Sequence, residues 1–147
     1  MTRFMRVLFE RGGELEISLL NDLAPETIES VLELLPLTNM AYHSRWSGRE
    51  INTEIKTGKR IPRENQTMQT APGDVVYWRE WEKEGDDVAE ALAIYYGPEM
   101  TRYHKGPQLV NVFGSISQSQ WKFIEEIGLR IWRHGGEKLT ITYEELP

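Results

Sequence analysis

Most of the apolar residues in this chain lie in short runs that are bounded by turn residues and have the period of a β-strand. In residues 14–19 every second position is leucine or isoleucine and the others are polar, as in a strand with one buried face. Gly12 and Gly13 separate this run from an earlier one at 4–9, and paired glycines supply the positive φ angles of a tight hairpin turn. The chain therefore begins with a predicted β-hairpin.

Only two stretches have helical periodicity. Apolar residues at i, i+3, i+4 and i+7 predict a helix over residues 25–35, which begins at Pro25 and stops before Pro36. A second apolar stripe predicts a helix over residues 119–134, and Gly135 follows it at the position where glycine commonly ends a helix. Both helices are expected to pack one face on a sheet.

Eight runs have β character, and their order predicts the fold. The predicted strands are residues 4–9, 14–19, 37–46, 50–55, 75–78, 88–96, 109–116 and 139–143. The alanines of 88–96 would also suit a helix, but Ile-Tyr-Tyr before Gly-Pro favours a strand. The sequence predicts one mainly β domain over residues 1–147, a closed antiparallel β-barrel capped by two α-helices.

The composition excludes several classes of protein. The chain has 147 residues, a formal net charge of -6 and no cysteine. Thiolate metal sites and cysteine nucleophiles are excluded, and the expected compartment is the reducing cytoplasm. An acidic chain is poorly suited to nucleic acid, whose binding depends on lysine and arginine. No run approaches the roughly 18 apolar residues of a membrane helix, so neither a membrane span nor a signal peptide is expected.

The histidines do not predict a metal site. His43, His104 and His134 are far apart, and none has the i, i+4 spacing of a helical metal pair. We expect no metal and no cofactor. His43 is the histidine considered for function, because it would share a strand face with Arg45 if no bulge intervenes.

The strongest candidate site surrounds the turn at residues 47 and 48. Arg45 and Glu50 flank this turn, and Trp46 adds an aromatic wall. One interpretation is a cross-strand ion pair, which contributes at most about 1 kcal/mol when exposed. The other is that Arg45 binds a ligand carboxylate while Glu50 accepts a hydrogen bond or acts as a base.

Further candidates come from strands whose ends would lie near that turn. Tyr77, Tyr96 and Asn111 are second-rank ligand-binding residues, because ligand sites combine apolar walls with a few polar groups. The predicted site is a pocket at one end of the barrel that binds a small polar or carboxylate-bearing molecule. Whether a reaction is catalysed does not follow from the sequence.

A basic, proline-interrupted segment over residues 56–74 reads as a long surface loop. It contains Lys56, Lys59, Arg60 and Arg63. These four cations are explained by a solvated loop, and the alternative is an anion-binding flap.

Several segments resemble cyclophilins. Leu-Glu-Ile-Ser-Leu at 15–19 followed by Ala-Pro-Glu-Thr at 24–27 is similar to the strand and helix start that open that family. Asn-Val-Phe-Gly-Ser-Ile at 111–116, a helix, and Lys-Leu-Thr-Ile at 138–141 are similar to its closing part. The middle of the chain resembles a family of uncharacterised bacterial cyclophilin-like proteins, through the segments 45–51, 72–77 and 95–97. The resemblance spans nearly the whole chain in the same order.

The resemblance implies a cyclophilin-like barrel and raises the question of prolyl isomerase activity. Arg45 corresponds to the cyclophilin arginine that contacts the prolyl amide, but no Phe-x-x-Gln constellation follows it. We therefore expect isomerisation to be weak or absent, and a divergent prolyl isomerase with a peptide ligand is the alternative function. Five tryptophans and six tyrosines also suggest a homo-oligomer, with a dimer expected.

Overall fold

A computed structural model describes residues 2–44 and 47–147. Eight longer strands dominate this part of the chain, and we number them in chain order. They are β1 (Thr2–Phe9), β2 (Glu14–Leu19), β3 (Leu37–His43), β4 (Glu50–Glu54), β5 (Asp74–Arg79), β6 (Glu90–Tyr95), β7 (Val110–Ser115) and β8 (Glu137–Leu146). The two helices are α1 (Pro25–Leu32) and α2 (Trp121–His134).

These strands form a closed antiparallel barrel, which confirms the predicted fold. Going round the barrel, the order is β2, β1, β8, β3, β4, β6, β5 and β7. The ring is closed where β7 pairs with β2, with Gly114 opposite Leu19 and Ser115 opposite Ser18. The alternative helix over 88–96 is excluded, because β6 pairs with both β4 and β5.

Apolar residues pack on both surfaces of one part of the barrel wall. The main core fills the interior, where Val75, Tyr77 and Ile94 are buried together with residues of the other strands. A second buried cluster lies on the outer surface of β5, β6 and β7. Its members are Val76, Ala93, Tyr95, Val110 and Val112. In a barrel whose outer surface faces water, these positions would be exposed and mostly polar. Their burial indicates that this part of the outer surface is covered.

Helix α1 is shorter than the predicted 25–35. It ends at Leu32. The amide groups of Leu34 and Leu35 then donate to carbonyls three residues back, which is the hydrogen-bond pattern of a 3-10 turn and not of an α-helix. Pro36 explains this end, because the residue before a proline disfavours helical geometry. Helix α2 is preceded by a 3-10 turn at Gln118–Gln120.

Several strand boundaries differ from the prediction by one or two residues, and three differences are larger. The strand predicted over 37–46 ends at His43, and its last two residues lie outside the described ranges. The 56–74 loop contains two-residue strands at Gln66–Thr67 and Gln69–Thr70. Strand β8 is longer than the predicted 139–143 because residues 139–146 pair with β1 and residues 137–141 pair with β3. It starts at Glu137, whose buried carboxylate binds Arg130.

Candidate functional site: a groove on the outer wall of the barrel

A groove of about 780 Å³ runs across the outer surface of β4, β6, β5 and β7. Its floor is the outer apolar cluster. The floor residues that line it are Val76, Ala91, Ala93, Tyr95 and Val110. This volume and apolar lining are typical of small-molecule sites, which span roughly 300–1,000 Å³.

A small hairpin forms the opposite side of the groove. Its two-residue strands, Arg102–Tyr103 and Gly106–Pro107, pair with each other, and the Tyr103 ring lies 5.4 Å from the Trp78 ring on β5. At the base of the hairpin the Thr101 hydroxyl donates to the Gln108 carbonyl. The hairpin is thus fixed to the wall at one end, and its tip reaches the groove through His104.

Glu50 is one of two buried acids that line this groove, the other being Glu90, whose carboxylate is bound by Tyr77 and Thr57. Glu50 is 7% exposed and lies at the start of β4, where it faces Tyr95 of β6 in register. Its Oε1 atom accepts hydrogen bonds from Ser47 Oγ at 2.5 Å and from Asn52 Nδ2 at 3.3 Å, and the Tyr95 hydroxyl interacts with the same carboxylate. Burial raises the pKa of Glu50 above the usual range, and these hydrogen bonds offset part of that effect. A carboxyl group of this kind can bind a donor or exchange a proton.

The raised pKa of Glu50 predicts a specific pH dependence of stability. Below about pH 4, near the ordinary carboxyl pKa, folded and unfolded chains both carry the proton. As pH rises through the higher folded pKa, the folded chain must ionise a buried group, so the contribution of Glu50 to the free energy of unfolding falls. Glu50→Gln should therefore become progressively more stable relative to the natural protein as pH rises above about 4.

Urea unfolding at several pH values measures this difference. Glu54→Gln is the matched control, because Glu54 lies on the same strand and is exposed. Parallel curves for Glu50→Gln and the natural protein would contradict the assignment.

Trp78 and two residues of the hairpin also line the groove. The Trp78 indole Nε1 is buried and makes no hydrogen bond within residues 2–44 and 47–147. Arg102 and His104 line the groove from the hairpin.

Two of the sequence candidates lie at a different place, under α2. The ring nitrogen Nε2 of His43 is 2.5 Å from the Tyr96 hydroxyl, and the imidazole stacks on Trp132 with the ring centroids 5.5 Å apart. Tyr96 in turn packs against Gly128 of α2. These contacts explain His43 and Tyr96 as part of the helix–barrel contact.

Tyr77 lies in the barrel interior. Its hydroxyl donates to Glu90 Oε1 at 2.6 Å, and burial and the Glu90 carboxylate raise the pKa of Tyr77. The structure does not bring Tyr77 to Glu50, because residues 75 and 77 point inwards whereas residues 76 and 78 point outwards.

Asn111 is fully buried, and its amide joins a helix to a loop. Its Nδ2 donates to Thr27 Oγ1 of α1 and to the Pro62 carbonyl, both at 2.9 Å. Its Oδ1 accepts from the Glu64 amide at 3.1 Å and from Gln66 Nε2 at 3.0 Å. These four bonds use the capacity of the amide, so a ligand would have to displace one of them.

Arg45 and Trp46, the other two leading candidates, lie outside the described residues, so the Arg45–Glu50 ion pair stays a hypothesis. At this turn Arg49 forms an ion pair with Glu99, in which the Arg49 Nε lies 2.6 Å from the Glu99 Oε1. Glu50 itself is placed on the outer wall and not in the mouth of the barrel.

The groove residues that the sequence analysis did not predict lie in runs with a recognisable apolar pattern. Residues 75–78 and 91–96 are apolar at almost every position, with no alternation. Such runs are typical of strands buried on both faces. They indicate that the outer wall is covered as well as the inner one, although they do not indicate by what.

Within the described ranges, no helix is long and apolar enough to cross a membrane. The same residues contain no cluster of three or more histidine, aspartate or glutamate side chains that could hold a metal ion.

Solved structures share this fold at low sequence identity. McbB, solved in complex with tryptophan, has a TM-score of 0.72 and 16% identity; the match covers 94% of this chain and 44% of McbB. The chain thus spans less than half the length of that protein. A hypothetical protein from Archaeoglobus fulgidus has a TM-score of 0.60 and 23% identity over 96% of this chain and 93% of that one. A cyclophilin-type peptidyl-prolyl cis-trans isomerase from Cryptosporidium parvum has a TM-score of 0.57 and 12% identity, with full coverage of both chains.

The cyclophilin-like part of the expected resemblance is confirmed at the level of fold. No curated protein matches the chain. A family profile does match, over residues 7–143, and it covers the barrel except residues 2–6 of β1 and 144–146 of β8. The chain belongs to the family described as "Protein of unknown function (DUF3830)".

Proposed function

We propose that this protein binds a small molecule in the outer groove, one that joins a flat apolar body to an amine and a carboxylate. The observation that carries the proposal is the buried Glu50 carboxylate at the wall of an apolar groove of about 780 Å³. A buried carboxylate is costly unless donors surround it, and an ammonium or N–H group on a ligand would add one. The amine of the ligand is therefore expected to donate to the Glu50 carboxylate.

The rest of the ligand follows from the other walls. Val76, Ala93 and Val110 offer an apolar floor for a ring. Arg102 supplies a cation on the hairpin side that suits a carboxylate, and His104 adds an imidazole beside it. A carboxylate contact from Arg45 stays part of the proposal as well. L-Tryptophan combines these three groups, and it is the molecule bound in the McbB structure.

Calorimetric titration with L-tryptophan tests the proposal. We expect saturable binding that weakens about tenfold in Glu50→Gln, because a charge-assisted hydrogen bond is lost. Ala91→Phe should also reduce affinity, since its ring would fill the groove. Indole-3-propionate, which keeps the ring and carboxylate but lacks the amine, should bind the natural protein more weakly and lose little further in Glu50→Gln.

Glu126→Gln is the control, because Glu126 is an exposed glutamate on α2. Absence of L-tryptophan binding, or equal affinity in Glu50→Gln, Ala91→Phe and the control, would contradict the proposal. Cytoplasmic location, a dimeric state and weak or absent prolyl isomerisation stay predictions.

A further inference from the structure

A second cavity, of about 310 Å³, lies beneath the basic loop. It is lined by Arg60, Ile61, Pro62, Arg63, Arg79 and Trp81. None of these residues lines the outer groove. Three of the six lining residues are arginines. The chain as a whole has a formal net charge of -6, so this cavity has a concentration of positive charge in an acidic protein.

Arg79 is the buried member of this group. The residue is 2% exposed, at the end of β5. Its Nη2 donates to the carbonyls of Lys83 at 3.3 Å and Gly85 at 3.2 Å. Its Nε and Nη1 atoms are buried and make no hydrogen bond within the described part of the chain. A buried guanidinium with two unpaired nitrogens is costly, and an acceptor between them and the cavity would remove that cost.

The neighbouring acid is already engaged by other donors. Glu90 lies directly across from Arg79 in the β5–β6 register. Its Oε1 accepts from the Tyr77 hydroxyl and from Thr57 Oγ1, both at 2.6 Å, and its Oε2 accepts from the Thr57 amide at 2.9 Å. Glu90 reduces the local positive charge, but it leaves the two Arg79 nitrogens without a hydrogen-bond acceptor.

The cations of the loop divide into two groups. Lys56 pairs with Asp87 at 2.9 Å, and Lys59 pairs with Glu33 at 2.5 Å. Arg60 and Arg63 instead line the cavity. All four side chains are exposed, as a solvated loop predicts, and the two arginines are in addition the ones that line the cavity.

Trp81 gives the cavity a fixed wall. Its indole N–H donates to the Leu109 carbonyl at 2.8 Å, and its ring meets Tyr77 edge-on at 5.9 Å. The Arg63 guanidinium lies 5.0 Å from the centre of that ring. Stacking on the ring orients this arginine; its Nη1 donates to Gln66 Oε1 at 3.2 Å, and its remaining N–H groups are available to a ligand.

We propose that this cavity is a second binding site, independent of the outer groove, for the oxyanion of a small molecule. Arg79 forms its base, and Arg60 and Arg63 form its rim. Guanidinium groups bind planar pairs of oxygen atoms in carboxylates and phosphates, so both share the chemistry that fits the site.

The experiment uses the full chain and simple anions. The indole ¹H–¹⁵N signals are recorded while sodium phosphate or sodium acetate is added at constant ionic strength against sodium chloride, with Trp81→Phe identifying the Trp81 signal. We expect a saturable shift of the Trp81 signal with phosphate, acetate or both, and the tighter of the two identifies the preferred oxyanion. Saturation with L-tryptophan should leave this titration unchanged, which separates this site from the groove.

Arg63→Gln tests the site without removing the buried Arg79, whose loss endangers the fold. We expect about tenfold weaker oxyanion binding in Arg63→Gln, because one charge-assisted contact is removed. Arg133→Gln removes the same charge from an exposed position on α2 and should leave affinity unchanged. If chloride shifts the Trp81 signal as strongly as both oxyanions, or if the two variants weaken binding equally, the proposal is overturned.

Discussion

Replacing Asn111 with alanine should lower the free energy of unfolding by about 3 kcal/mol, since it removes a buried amide that makes four hydrogen bonds. The change leaves the buried Thr27 hydroxyl without this partner, together with the Pro62 carbonyl, the Glu64 amide and the Gln66 side chain, whose bonds are partly buried. It also leaves a cavity between α1, β7 and the 56–74 loop. Urea unfolding followed by circular dichroism measures the loss.

Asn21→Ala is the control, because Asn21 makes a single side-chain bond, to Arg3 at 3.2 Å, near the surface. Its loss should cost less than about 1 kcal/mol. If Asn111→Ala lowers the free energy of unfolding no more than the control does, Asn111 does not link α1 to the loop as described above. It would then be favoured as a ligand-binding residue. The affinity for L-tryptophan should be the same in folded Asn111→Ala as in the natural protein.

Gly128→Val should destabilise the protein by about 2–3 kcal/mol, because α2 approaches the barrel too closely for a side chain at this position. A Cβ atom built on Gly128 would lie 2.3 Å from Tyr96 Cε1. The Tyr96 ring would have to move, and its contact with His43 would be lost. Thermal and urea unfolding measure the effect.

Glu126→Val is the matched control, since it introduces the same side chain at an exposed position of the same helix. It should change stability by less than about 0.5 kcal/mol. Equal effects of the two substitutions would contradict the close packing of α2 on Tyr96.

The barrel was predictable because local patterns determine most of it. Alternation at 14–19 and the paired glycines before it specify a hairpin, which the structure confirms; in it Val7 lies opposite Leu15. The boundaries were less predictable, since they depend on distant contacts. Strand β8 extends to Leu146 because β1 continues beside it, and residues 144–146 have no apolar alternation that would show this.

The candidate site was predictable only in part, because a side chain's availability depends on partners far away in the sequence. Glu50 was selected for its charge near a turn, and the structure places it in the groove. Asn111 was selected for an amide that donates and accepts, but residues 45 to 84 positions away use those bonds. Arg79 was not selected, because nothing in its neighbourhood along the chain shows that its guanidinium is buried.

The location of bound L-tryptophan is the most direct test of the groove as a ligand site. Intermolecular nuclear Overhauser effects between the indole protons and selectively labelled alanine and valine methyl groups measure that location. We predict contacts with the methyl groups of Val76, Ala93 and Val110 on the outer wall, and their loss in Ala91→Phe. Contacts confined to other methyl groups, or no contacts at saturating ligand, would contradict the assignment of the groove as the binding site.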